Sequence, residues 1–530
     1  MRDIDKKLLE DDIFWFNKGE QIVSRNLWIS INCLFCSFAI WMYWGVITVH
    51  MLNVGYNFSQ SNLFSLIAIA GLSGATLRIP NCFFVQLCGG RYTLFFTVLL
   101  LIIPALGTGL ALQNKDTSLL VFQFLALLSG IGGGHFASSM ANINLFFPKY
   151  KQGLAFGLNA GLGNFGISIM QIIVPLVVTY AAFNIEGSQL ISSSGSLLST
   201  ISAGHNIYIQ NTGYVWLLFI IPLLFVCWFA ATNIRLKNEP LYINSPLKAF
   251  SLIVGMLLIG LIFTAIGSWL IFSEGSNGSG FHVSKEVVLV LVISATLICL
   301  KLFSSDIGRQ YTIFKNKHVW VMSVVYTMTF GSFIGFTAIF PLTIKLIFGY
   351  KHIIVAGELT HNIINSNAPS ALMYAWMGPF IGALTRPIGG WLGDKFGGAV
   401  VTQICCIIMI LSALGVSYYM NLAFNTSNPE EYFLAFFGSF LVLFLVTGMA
   451  NGSTFKTIAV LFPGRNIALT IGFTSAIAAY GAFYIPCVFD EQITIGEPGI
   501  AFINFAVFYT MCLFVNWWFY LRKTSVTYNP

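Results

Sequence analysis

The chain has 530 residues, 57% hydrophobic and 8% charged, with a mean hydropathy of +0.80 and a formal net charge of +7. A soluble domain carries about 25% charged residues, so this composition excludes a water-soluble globular protein. The positive balance calls for no nucleic acid, because basic loops are what membrane topology demands.

The first 26 residues are polar and carry Asp3, Asp5, Lys6, Lys7, Asp11 and Asp12 without a short apolar core. They are expected to form a cytoplasmic tail rather than a cleavable signal. Apolar runs long enough to cross a bilayer as helices then recur along the chain, and they lack the two-residue alternation of barrel strands. The predicted spans are 27–52, 60–87, 92–113, 117–147, 152–183, 213–233, 248–272, 287–303, 318–348, 370–393, 398–422, 432–462, 466–489 and 498–521, about fourteen in all. With the amino terminus inside, 19 Lys or Arg fall in cytoplasmic segments or at cytoplasmic span ends and four outside or at outer span ends (Lys115, Lys285, Lys345, Lys351), out of 26. The remaining three, Arg78, Arg386 and Lys456, fall within spans. That asymmetry predicts both termini in the cytoplasm of a multi-pass inner-membrane protein.

Two stretches match each other. "GATLRIPNCFFVQLCGGR" from Gly74 and "GALTRPIGGWLGDKFGG" from Gly382 each have Arg four residues after the first Gly. In each, a Gly-Gly pair begins eleven residues after the Arg, at Gly89 and at Gly397. "FFPKYKQGLAFG" from Phe146 likewise resembles "LFPGRNIALTIG" from Leu461. The chain therefore reads as two parallel six-helix halves, 27–233 and 318–530. A junction at 234–317 is expected to carry an extra pair of spans. Such halves face one another across a central substrate cavity.

Arg78 and Arg386 hold equivalent places in the two halves. A charge at membrane depth marks function by default, and no predicted span contains Asp or Glu. Two guanidiniums sharing a cavity without a carboxylate repel each other. An anionic substrate supplies the missing charge, and the planar fork of Arg suits a planar oxyanion. The glycine runs "SGIGGGHFASSMAN" (Ser129–Asn142) and "GLNAGLGNFGIS" (Gly157–Ser168) allow close helix approach. The formal GxGxxG at Gly161–Gly166 lies inside an apolar helix and lacks the strand that a dinucleotide site requires. Cys33 and Cys36 have metal-site spacing but no polar partners, and read as packing thiols. No metal, nucleophile or phosphate-loop pattern survives inspection, so neither an enzyme nor a cofactor is implied.

"FASSMANINLFFPKYKQGLAFGLNAGLGNFG" from Phe136 and "NGSTFKTIAVLFP" from Asn451 resemble the two signatures of the nitrate/nitrite porter family of the major facilitator superfamily. "SGATLRIP", "GALTRPIGG" and "YTMTFGSFIGF" from Tyr326 resemble its arginine helices and its seventh core helix. The resemblance implies an all-α transporter that clamps nitrate or nitrite between Arg78 and Arg386. It further implies Asn164 and Tyr326 as polar partners, Gly161 beside the site, and Phe136 and Phe330 as rings flanking the anion. His135 departs from the asparagine expected there, and a titratable ring beside the site is a candidate pH-sensitive group. Nitrate/nitrite exchange is the leading expectation, because no embedded acid is available to carry a proton; nitrate–proton symport is the alternative. The porter is expected to work as a monomer in the bilayer, in nitrate assimilation or respiration.

Overall fold

The computed structural model describes every residue except 1–2, 6–14, 148, 182–185, 196–199, 236–242, 244, 274–282, 304–306, 308–310, 356–357, 463–465 and 526. Its helices are α1 (Asn17–Val54), α2 (60–88), α3 (90–111), α4 (Leu119–Phe146), α5 (Ala155–Val177), α6 (Asn211–Ala230) and α7 (Pro246–Phe272). They continue with α8 (Lys285–Phe303), α9 (Lys317–Phe348), α10 (Met377–Phe396), α11 (Gly398–Phe424), α12 (Pro429–Leu461), α13 (Leu469–Ile495) and α14 (Pro498–Leu521). Among the described residues, twelve helices are long and apolar enough to cross a membrane. That count takes the run Gln60–Ala111 as one helix and leaves out α10, so it does not establish the fourteen spans expected.

The run Gln60–Ala111 is a hairpin rather than a rod. Its start and finish lie together: the Tyr56 hydroxyl donates to the Leu112 carbonyl at 3.1 Å, and the Lys115 ammonium to Val54 O at 2.6 Å. The chain reverses at Gly89, whose φ of 75° and ψ of 159° suit glycine alone. Gly397, its counterpart by sequence, separates α10 from α11 with φ 89° and ψ 138°. An asparagine fastens each pivot. The Asn233 side-chain oxygen accepts from the Arg91 N–H at 2.8 Å, and that of Asn529 accepts from the Val400 N–H at 3.2 Å.

Among the described residues, four two-stranded ribbons decorate the helical fold outside the spans. Asp3–Asp5 pairs in parallel with Asn233–Arg235, next to the Gly89 pivot. Ser188–Gln189 pairs with Asn206–Ile207, Ser194–Gly195 with Thr200–Ile201, and Tyr350–Val355 with Glu358–Ile364. Pro530 accepts from the Gly398 N–H at 2.9 Å. Both ends of the described chain therefore lie at the pivot end of the bundle.

At the opposite, far end the two halves bond to each other. The Lys345 ammonium donates to the Ser192 hydroxyl at 3.1 Å, and that hydroxyl donates to Asn53 Oδ1 at 2.9 Å. Glycines permit the close helix crossings beneath this seal. A Cβ on Gly45 of α1 would collide with the Ala338 carbonyl of α9, and one on Gly71 of α2 with the Ala482 carbonyl of α13. The expected extra pair, α7 and α8, packs on the outside of α2, with Gly260 against Leu77 and Gly267 against Leu72.

The acidic residues stay near the helix ends. Asp394 pairs with Lys456 at 2.6 Å and Glu491 with Lys285 at 2.8 Å, while Asp490 accepts from the Ser61 hydroxyl at 2.9 Å. Asp490 and Glu491 lie within α13, which runs to Ile495, six residues past the expected span end at 489.

Candidate substrate site

Arg78 lies mid-way along α2 and is fully buried. Its Nε donates to Gly133 O of α4 at 3.0 Å and its Nη1 to Ser475 O of α13 at 3.1 Å; Nη2 has no partner among the described residues. One guanidinium thus touches both halves. The glycine run of α4 makes this reach feasible, because Gly133 packs directly on Trp41 and Gly74.

Arg386 on α10 is only 4% exposed, and its Nε, Nη1 and Nη2 all lack hydrogen-bond partners among the described residues. Its backbone carbonyl lies against Gly452 of α12, where any side chain would collide. No carboxylate of a described residue lies within ion-pair distance of either arginine.

Aromatic rings line the space between the arginines. The Arg78 guanidinium carbon lies 4.7 Å from the Phe136 ring centroid and 4.9 Å from that of Phe330. The Arg386 carbon lies 5.4 Å from Phe330 and 4.7 Å from Phe333. Phe330 therefore serves both cations through the negative face of its ring. Phe136 and Phe330 are near-parallel at 18° with centroids 6.2 Å apart, and Tyr326 stacks on Phe330 at 12° and 5.4 Å. A planar ion between two rings needs about 7 Å, twice an ordinary carbon contact distance, so the two phenyl rings must part slightly to admit one.

The shared face expected for Tyr326 and Phe330 is present, but a π-helical turn at Thr327–Gly331 produces it. Such turns recur at functional sites in helices. The Tyr326 hydroxyl is buried without a hydrogen bond among the described residues.

The remaining predicted residues line up differently. Gly161 of α5 is buried, yet a Cβ there would meet nothing within 4 Å, so it borders a void. Asn164 is buried one turn further; its amide donates to Ala160 O and its Oδ1 is unpartnered among the described residues. Ser168 and Gln171 continue that helix face, and Ser168 Oγ and Gln171 Oε1 likewise have no partner among the described residues. Among the described residues, no hydrogen bond joins Asn164 to either arginine. His135 is buried with both ring nitrogens unpartnered among the described residues. Gly163 and Gly166, the rest of the glycine motif, pack on Leu34 and on the Phe35 carbonyl, a helix–helix role.

Sequence reasoning missed four neighbours. Phe38 and Trp41 of α1 lie 5.9 and 5.2 Å from the Arg78 guanidinium carbon, Phe333 flanks Arg386, and Asn451 faces Tyr326. Helical spacing carried the signal for Phe333, which is seven residues after Tyr326 and three after Phe330.

The Major Facilitator Superfamily model matches residues 29–486. The nitrate/nitrite transporter NarU of Escherichia coli K12 is 34% identical, over 97% of this chain and 95% of its own length. The chain belongs to the nitrate/nitrite porter family of the major facilitator superfamily. The porter is similarly 34% identical to a probable nitrate/nitrite antiporter, NarK2, of Thermus thermophilus, over 94% of this chain and 93% of the relative. Its fold matches the xylose transporter XylE of E. coli in a partially occluded inward-open conformation, with TM-score 0.56 and 12% identity. That alignment covers 94% of this chain and 99% of XylE, and it speaks to fold alone. Family membership makes the porter a multi-pass integral membrane transporter, not an enzyme.

Proposed function

We propose that this porter exchanges nitrate and nitrite by alternating access, with the anion bridging Arg78 and Arg386 between Phe136 and Phe330. The names of its relatives support the substrates. The observation that carries the clamp is Arg386: a buried guanidinium with every nitrogen unpartnered and no carboxylate nearby. An isolated buried charge is strongly unfavourable, and a monovalent oxyanion neutralises it. Asn164, Gly161 and Tyr326 complete the cavity wall, and tilting about the central cavity closes one end as the other opens.

Exchange follows from the same electrostatics. Without an anion, the closed cavity holds two like charges in a low dielectric, so the empty carrier returns slowly. The excess of basic residues at the pivot end supports a cytoplasmic location for both termini. Fourteen crossings, six per half with α7 and α8 between them, account for that charge distribution. His135 favours a second reading, nitrate–proton symport, since a buried imidazole with two unpartnered nitrogens is a candidate proton carrier.

Uptake of labelled nitrate into proteoliposomes separates the two. Exchange requires internal nitrite or nitrate and ignores a pH gradient. Symport accumulates nitrate in empty vesicles under a pH gradient alone, and His135→Asn abolishes that accumulation.

A further inference from the structure

Asn451 is fully buried on α12, and both its Nδ2 and its Oδ1 lack hydrogen-bond partners among the described residues. Two adjacent contacts fix its position. Its neighbour Gly452 lies directly against the Arg386 carbonyl, which holds this turn of α12 beside the clamp. One turn on, Phe455 packs against the Tyr326 ring with centroids 5.2 Å apart. The Asn451 amide consequently faces the Tyr326 hydroxyl, although the pair falls short of hydrogen-bond geometry and leaves both groups unpartnered. In the sequence repeat, Asn451 of "NGSTF" aligns with Phe136 of "FASSM", so at equivalent positions one half carries a ring and the other an amide. A buried amide with neither atom bonded is unfavourable, and a polar occupant of the cavity relieves it.

We infer that Asn451 is a specificity-determining residue of the anion site, with its Nδ2 donating to nitrate at an oxygen lone pair that the two arginine forks leave free. The inference rests on the arginine clamp proposed above. Nitrate presents about six in-plane lone-pair sites on its three oxygens, counting two per oxygen. Arg386 and the Nη1–Nη2 edge of Arg78, whose Nη1 keeps a second hydrogen beyond its bond to Ser475 O, occupy about four of them, leaving two for the Tyr326 hydroxyl and the Asn451 amide. Nitrite has one oxygen fewer and a single nitrogen lone pair in its place, so one of these two donors goes unused. A site built to hydrogen-bond an atom discriminates against the analogue that lacks it. Asn451 thus weights the porter towards nitrate.

Equilibrium binding of nitrate and of nitrite to the purified full-length protein tests this, with Asn451→Ala and Asn451→Ser compared against wild type. The expected result is about a tenfold weaker nitrate affinity in Asn451→Ala with less than about a twofold change for nitrite, and partial recovery of nitrate affinity in Asn451→Ser. A packing defect shifts both anions together, so the nitrate-to-nitrite ratio isolates the polar contact. Equal losses for the two anions, or unchanged binding of both, overturns the inference. Should Asn451→Ala not fold, Asn451→Ser alone decides by the same ratio. Arg78→Lys and Arg386→Lys are measured alongside. Undiminished anion binding in those two means that the clamp itself is wrong, an outcome distinct from an unchanged ratio in the Asn451 variants.

Discussion

Arg78 and Arg386 lean on the same ring, Phe330, yet their guanidiniums are bonded unequally. Arg78 donates to two backbone carbonyls, Gly133 O in one half and Ser475 O in the other, whereas Arg386 donates to none among the described residues. The sequence repeat pairs the two arginines, but the fold makes one a tether and the other a free cation. Since the Ser475 bond crosses between halves, it must yield whenever they part along α2 and α13.

This inequality predicts opposite stability effects from the same substitution. Arg386→Met removes an uncompensated buried charge and should raise the stability of the anion-free protein by about 1–3 kcal/mol. Arg78→Met also gives up two charge-assisted hydrogen bonds and should lower it by a comparable amount. Both variants should lose the stabilisation by saturating nitrate, about 2.7 kcal/mol in wild type at a hundredfold excess over Kd. Thermal unfolding in detergent, with and without nitrate, measures both effects. Equal destabilisation by the two substitutions would contradict the assignment.

The rings should also differ in weight. Phe330 faces both cations, at 4.9 and 5.4 Å, while Phe136 faces only Arg78, at 4.7 Å. A desolvated cation–π contact is worth about 2 kcal/mol. Phe330→Leu should therefore weaken nitrate binding more than Phe136→Leu, by roughly tenfold. Direct binding measurements on the two variants decide it, and the reverse order would show that Phe330 is packing alone.

Much of this was legible beforehand. The pairs Gly89-Gly90 and Gly397-Gly398 mark the pivots because left-handed backbone geometry demands glycine there, and that demand is written in the residue type. Phe136, Tyr326 and Phe330 stack together, and the guanidiniums of Arg78 and Arg386 both lie against Phe330. The tether of Arg78 was not legible, since its acceptors are backbone carbonyls that any residue could supply. Asn451 lay within a quoted motif, but its repeat counterpart is the aromatic Phe136, so the comparison of halves concealed its polar role. The π-helical turn at Thr327–Gly331 leaves no periodicity signal in a helix that is buried on nearly every face.

Closure of the far end depends on Gly45. A side chain at this position must push against the Ala338 backbone across the interface between halves. Gly45→Val should hold that end apart, lengthening spin-label distances across it and cutting exchange at least about tenfold, while the protein still reaches the membrane. Wild-type distances together with full exchange would mean that the halves close elsewhere.

Proton coupling through His135 has a separate consequence. Under exchange, His135→Asn retains counter-anion-driven nitrate uptake within about twofold of wild type, because no proton enters the cycle. Assays at matched pH on both sides of the membrane measure this. A loss beyond about tenfold, restored by no counter-anion, would transfer the mechanism to symport.

The clamp itself is tested most directly by equilibrium binding of nitrate to the folded, full-length wild type, Arg78→Lys and Arg386→Lys at one pH and ionic strength. Lysine keeps the charge but loses the planar fork. The account predicts a loss of affinity of at least about a hundredfold in each variant, the equivalent of about 2.7 kcal/mol. Wild-type affinity in Arg386→Lys would contradict it, because it would mean that the buried guanidinium with no partner of its own is not what holds the anion.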